Sequence, residues 1–196
     1  ISNFTSWHLY RLRLGKKMNF DTFFNQNNNK FVEKEDPTNK NQCLDLIFAY
    51  VDALSIPRET VRHLYAYEAY TKPTDATVRY FELVPNTPLG IPQKGDIVVW
   101  DKKYNGTAGH IGISNGKGNI NNFECFEQND PVGTSSHIKV YTYSFILGWL
   151  RVKTSSDEIN KLKKQVQDLQ KVQQSLQKDI EKFKQKIQKA TQALNE

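Results

Sequence analysis

The chain has 196 residues, 24% of them charged and 12% aromatic, with a net charge of +6. That is enough for one core of ordinary size plus an appendage, and the composition is that of a globular protein. There is no run of about 18 apolar residues, so no transmembrane helix is expected. Two cysteines in a chain of this length make no disulfide framework.

The charge is unevenly spread. Residues 1–17 carry four basic groups and no acid, and residues 157–196 carry nine lysines against six acids. Residues 18–156 hold fourteen basic and fifteen acidic residues. The basic balance therefore belongs to the ends, which removes the electrostatic argument for nucleic-acid binding by the central part. Basic ends suit an anionic surface such as a bacterial wall. Residues 1–17 lack the apolar stretch of a secretory signal. Met18, the only methionine, stands where domain-like sequence begins. Residues 1–17 are read as a basic N-terminal extension.

From Met18 to Phe31 a short helix is expected, running into an Asn-rich loop. The loop "EKEDPTNKN" (33–41) ends in capping residues, with Asn41 the expected N-cap. Leu44, Ile47, Phe48, Val51 and Leu54 then recur at helical spacing, and Ile56-Pro57 ends that helix. Residues 58–70 read as helical again. Residues 71–95, with four prolines, read as an irregular connection. From Gly95 the period changes to that of strands: "DIVVW", "HIGIS", "NFECFEQ", "IKVYTY" and "FILGWLR", separated by the turn clusters "YNGTAG" and "NGKGN". Helices first and strands later imply an α+β domain, its antiparallel sheet packed on the N-terminal helices.

The last forty residues contain neither Gly nor Pro. Ser155 and Glu158 form a capping box. With Ile159 as position a, the a series is Ile159, Val166, Gln173, Ile180, Ile187, Leu194. The d series is formed by Leu162, Leu169, Leu176, Phe183 and Ala190. β-Branched residues at a with Leu at d favour a parallel two-stranded coiled coil, and Gln173 would fix its register. A homo-oligomer through residues 159–194, a dimer ahead of a trimer, is the expectation. Three regions follow: 1–17, a domain over 18–154, and a coiled-coil helix over 155–196.

Chemistry points to Cys43. A cysteine in the first turn of a helix meets the partial positive charge of the helix N-terminus, which favours thiolate. A cysteine hydrolase also needs a histidine within hydrogen-bond reach. His8 and His63 lie in less informative surroundings, and His137 sits in a Ser/Gly-rich turn. His110 follows Gly109 and opens a strand, so it can project toward the helix start. A third group should orient the imidazole. The next strand ends in Glu127, Gln128 and Asn129, and alternation places Glu127 on the face of Cys125 and Phe123. An acid on that apolar face implies a partner.

Taken together, "NQCLDL", "PQKGDIVVW", "GHIGIS", "FEQN" and "ILGWLR" resemble the CHAP family (cysteine, histidine-dependent amidohydrolases/peptidases) of phage endolysins and bacterial wall hydrolases. The resemblance spans roughly residues 18–152. "GDIVVW" and "GHIGIS" alone also suit NlpC-type peptidases. It implies a papain-like α+β fold. By motif, Cys43 is similar to the nucleophile and His110 to the general base. Glu127 matches the residue that orients His110, with Asn129 a supporting or alternative member. The oxyanion would be held by the Cys43 backbone N–H, with Gln42 either a second donor or only a helix cap. Cys125 becomes a packing residue, and a bridge to Cys43 is disfavoured.

Some members bind calcium through an Asp-x-Asp loop before the cysteine and an Asp two residues after it. Here Asp45 is present, but Glu33 and Glu35 replace the aspartates and Lys34 and Lys40 intrude. No metal and no cofactor are expected, and no clustered Cys/His pattern for zinc is present.

The resemblance implies a peptidoglycan hydrolase, an endopeptidase or N-acetylmuramoyl-L-alanine amidase acting through a thioester. A phage lysin is the expected context, in the host cytoplasm before release to the wall or associated with the virion. The competing readings are a phage structural protein that uses the domain only to bind wall, and an amidase of small molecules.

Overall fold

The computed structural model describes residues 18–34 and 41–153, and a C-terminal helix whose side chains are described over 163–192. The chain divides between Val152 and Lys153 into two units. Among the described residues, the first opens with helix α1 (Phe20–Asn27), capped by the Asn19 side chain. Helix α2 (Cys43–Ala53) follows. Two short helices come next, α3 (Glu68–Thr71) and α4 (Asp75–Tyr80). Six strands complete the unit: β1 (Phe81–Pro85), β2 (Ile97–Trp100), β3 (His110–Gly118), β4 (Asn122–Glu127), β5 (His137–Thr142) and β6 (Ile146–Val152). They form one antiparallel sheet in the order β1-β6-β2-β3-β4-β5. The second unit is helix α5 (Ser155–Leu194). The expected α+β architecture with a long C-terminal helix is thus borne out. The expected extension at 1–17 and the "EKED" loop beyond Lys34 lie outside the described residues.

Alternation divides the sheet into two buried faces. Ile97, Val99, Ile111, Ile113, Phe126 and Leu150 pack with Leu46, Ile47, Tyr50 and Val51 of α2. Leu46, Ile47 and Val51 have no exposed surface, and each such burial stabilises by about 1.5–3 kcal/mol. On the opposite face Val98, Trp100, Phe123, Cys125, Tyr141 and Trp149 form a second, aromatic cluster.

The polar residues of two motifs have structural tasks. Asp96 is buried, and its carboxylate accepts from the Gln93 N–H (2.8 Å) and the Arg151 guanidinium (2.7 Å). It ties the start of β2 to β6, which explains the Asp of "GDIVVW" and the Arg of "GWLR". Burial raises the Asp96 carboxyl above its ordinary range, against the pull of Arg151.

Four local expectations are corrected. The N-cap of α2 is Gln42, in an extended conformation, while Asn41 takes a positive φ of 58°. Residues 58–70 are not one helix. They hold a 3₁₀ turn at Arg58–Thr60 and the start of α3, and Tyr67 N–H donates to the Ala108 carbonyl instead of a helical acceptor. The stretch 71–95 is not irregular throughout, because it contains α4 and β1. β1 is an edge strand whose pairing with β6 ends at Pro85, a position where proline is tolerated. His137 does not lie in a turn but opens β5.

Candidate active site

Helix α2 begins on a compact hydrogen-bond frame. Asp45, at the third helical position, accepts from the Gln42 N–H (2.8 Å) and the Lys34 N–H (3.2 Å). An acid there also complements the helix dipole. Asp45, the open question as a calcium ligand, serves here as a capping acid. Among the described residues no group of three or more His, Cys, Asp or Glu is arranged to hold a metal ion.

Gln128 straps this frame to the sheet. It is fully buried, and its amide bonds both backbone groups of Val32 (2.7 and 2.9 Å) and the Gln42 carbonyl (3.0 Å). Asn129, with φ of 71°, donates to Gln42 Oε1 (3.4 Å) and accepts from the Gly133 N–H (2.7 Å). The "FEQN" run therefore splits its work: Gln128 and Asn129 hold the Gln42 turn, and Glu127 faces the histidines.

Cys43 is half-buried and free, as is the buried Cys125. His110, 3% exposed, lies beside Cys43 and presents Nε2 to Glu127 Oε2 at 3.2 Å. That second contact is oblique, at ion-pair distance and without linear hydrogen-bond geometry. Burial alone would pull the His110 pKa down. Interaction with Cys43 and with the Glu127 carboxylate outweighs it and raises the value to about 9.

Two glycines of "GHIGIS" make this approach feasible. Gly109 has a φ of 66°, and a Cβ there would run into the Trp100 carbonyl oxygen. At Gly112 a Cβ would lie 2.6 Å from Cys125 Sγ and 3.1 Å from the Glu127 Cβ. The bare backbone leaves room for the acid on β4.

Aromatic rings enclose His110. Trp100 is its partner across the β2–β3 ladder, with ring centres 5.3 Å apart, and Tyr104 stacks at 5.9 Å. Asp130 fixes the surrounding rings by accepting from Tyr104 (2.5 Å), Tyr141 (2.7 Å) and Lys139 (2.8 Å). Desolvation works against its charge, but these three donors lower the Asp130 pKa to about 2.

Sequence reasoning singles out Cys43, His110 and Glu127, and the structure brings them together. It places Asn129 on Gln42, not on His110. It also adds two residues to which the sequence pattern gives no part. Gln128 is legible only as a neighbour of Glu127. His137 stands directly across the ladder from Glu127, with Nε2 3.1 Å from Oε1.

No family model matches the chain. Over 116 residues it is 32% identical to a probable autolysin, PH, of Staphylococcus aureus. That alignment takes in 59% of this chain and 20% of the autolysin, so the chain spans about a fifth of that relative's length. The crystal structure of a wild-type endolysin, LysIME-EF1, is similar with a TM-score of 0.56 at 20% identity, covering 68% of this chain and 64% of that one. This chain thus shares a fold with an endolysin and sequence with one segment of an autolysin.

Proposed function

We propose that residues 18–154 are a CHAP-type cysteine hydrolase domain that cleaves an amide bond of bacterial peptidoglycan. The observation that carries this is the Cys43–His110–Glu127 series: a half-buried cysteine at a helix start, beside a buried histidine that is backed by a buried carboxylate. The likeness to an autolysin and an endolysin supports the substrate class.

In this reading His110, held protonated at neutral pH, carries the proton taken from Cys43. Cys43 Sγ attacks the amide carbonyl, and His110 gives its proton to the leaving amine as the C–N bond breaks. Water, deprotonated by His110, then hydrolyses the thioester and returns the thiol. The oxyanion is held by the Cys43 N–H, which has no intrahelical acceptor at the first helical position. Gln42 is the second donor in this reading, beside its part in capping the helix. Endopeptidase is favoured over amidase as the reaction.

Helix α5 assembles the domain as a parallel dimer, and two catalytic domains per assembly gain avidity for a polymeric wall. With the basic ends, α5 supplies wall attraction. The context is a phage lysin, acting from the host cytoplasm or from the virion, with residues 1–17 an extension. The test is turbidity clearing of purified walls, with mass spectrometry of the released fragments to name the scissile bond. Cys43→Ala should abolish clearing in a protein with unchanged circular dichroism. Clearing by that variant at the wild-type rate would overturn the mechanism, and products limited to small-molecule amides would overturn the substrate.

A further inference from the structure

Glu127 has no exposed surface, and each of its oxygens faces a different imidazole. Oε2 meets His110 at 3.2 Å and Oε1 meets His137 at 3.1 Å. Neither contact is a linear hydrogen bond, so both act through close approach. The His137 ring is itself anchored, because Nδ1 donates to the Ser135 carbonyl at 2.8 Å. The bond to Ser135 fixes the ring, and Nε2 is the nitrogen left facing Glu127. The His137 side chain remains 30% exposed, while Glu127 has no exposed surface.

The fold explains why His137 takes this place and Lys139 does not. Glu127 and His137 are paired across β4 and β5, which puts their side chains on one face. Lys139, two residues along on the same face, is engaged by Asp130 at 2.8 Å, and Asp130 also binds Tyr104 and Tyr141. The other titratable groups near Glu127 are His110 and, beyond it, Cys43, together with Cys125, Tyr141 and Tyr104, whose pKa values are raised by burial and by the charge of this carboxylate. A lone buried carboxylate with one oblique contact would be free to rotate about its terminal torsion.

We infer that His137 is a positioning residue of this site: from β5 it holds Glu127 Oε1, which turns Oε2 toward His110. The inference rests on the reading of Cys43 and His110 as the reacting pair. Its residue acts through two others and touches no substrate.

The test compares His137→Gln, which keeps an N–H donor, with His137→Leu, which keeps volume but no donor. Alkylation of Cys43 by iodoacetamide at pH 7 is followed by mass spectrometry of the Cys43 peptide, and kcat and KM are measured on purified walls. Loss of the donor should slow alkylation and lower kcat by about tenfold with KM unchanged, as loss of an orienting partner does elsewhere. His137→Gln should restore both to within about threefold of wild type. If His137→Leu alkylates and turns over like the wild type, the inference fails. If both variants lose activity equally, or if KM rises while kcat holds, His137 is only a structural residue and the inference also fails. Should His137→Leu not fold, the comparison of His137→Gln with His137→Asn decides. Gln reaches Glu127 and Asn is too short, so near-wild-type rates for Gln and slow ones for Asn sustain the proposal, and equal rates overturn it. Wild-type Cys43 reacting no faster than the denatured chain would instead overturn the catalytic reading beneath it.

Discussion

The Asp45 carboxylate accepts the backbone N–H of Gln42 at 2.8 Å, and this single contact sets where helix α2 begins. Cys43 is the first residue of that helix, so the cysteine's place is decided one residue before and two residues after it. Asp45 is 4% exposed, and its second oxygen takes the Lys34 N–H. Asp45→Ala takes the acceptor from the partly buried Gln42 N–H, leaves the Lys34 N–H only Glu33 Oε1 (3.1 Å), and removes the acid from the first turn. The expected cost is about 2 kcal/mol, read from the midpoint of urea unfolding. Asp45→Asn should recover about half, since it keeps an acceptor without the charge. An Asp45→Ala protein as stable as wild type would show that the Gln128 strap alone holds the turn.

A second prediction concerns pH. His110 is raised from its ordinary 6.5 to about 9 by Cys43 and Glu127. A raised pKa contributes stability that is fully present below 6.5 and is lost as pH rises through 9. The proton delivered to the leaving amine is lost over the same limb, so kcat/KM should fall above about pH 9. Glu127→Gln removes one of the charges that raise the value. The falling limb, and the His110 ring resonances followed by NMR, should then move to lower pH. An unchanged titration in Glu127→Gln would mean that Cys43 alone sets the His110 proton.

How far these features can be read from sequence depends on the range of the interaction. The strands β2 to β6 are legible because short apolar runs, continuous in β2 and alternating in strands such as β4, are bounded by turn residues. Strand β1 is not, because "FELVP" is a short edge strand that borrows its order from β6. Residues 58–70 carry apolar spacing that suits a helix. Their backbone is drawn off by distant partners instead, Tyr67 by Ala108 and the Thr60 carbonyl by Thr77. The same holds at the site. Cys43, His110 and Glu127 announce themselves through local context: a helix start, a Gly-His strand opening and an acid among apolar residues. His137 does not, because its meaning lies in the β4–β5 register, and a shift of one residue would turn it to the other face. Asn129 misleads for the opposite reason. It follows Glu127 closely in sequence, but its positive φ turns it out of the strand and onto Gln42.

Asp130 provides a third test, at acid pH. Its pKa is lowered to about 2, below the ordinary 3.8, so its contribution is present above 3.8 and lost as pH falls through 2. With 22% of the side chain exposed, solvent screening limits that contribution to about 1–2 kcal/mol. Asp130→Asn should cost that amount at pH 7, and the difference from wild type should vanish near pH 2, read by urea unfolding at each pH. The rings of Tyr104 and Tyr141 lose their charged anchor in the variant, so the tyrosine near-UV circular dichroism should weaken as well. A pH-independent difference would assign the loss to packing and not to the charge.

The last prediction concerns helix α5. Its Val166, Leu169, Leu176, Ile180, Phe183 and Ile187 are each about half exposed or more, and they fall on one seam at heptad spacing. A helix of this polarity gains little from propensity alone, and such a seam is stabilised when a second helix covers it. Sedimentation at micromolar concentration should therefore give twice the chain mass of 22.7 kDa. Replacing Leu169 and Leu176 by Glu places like charges at facing d positions, so the double variant should sediment as a monomer and lose helical signal. Lys171→Glu lies off the a and d positions and should leave the dimer intact. Gln173 is the discriminating position, because a polar residue at a holds register at the expense of stability. Gln173→Ile should raise the melting temperature of the assembly and admit species above the dimer. A wild-type protein that sediments as a monomer would refute the dimer, and a Gln173→Ile variant that stays strictly dimeric would show that register is set by the flanking β-branched residues instead.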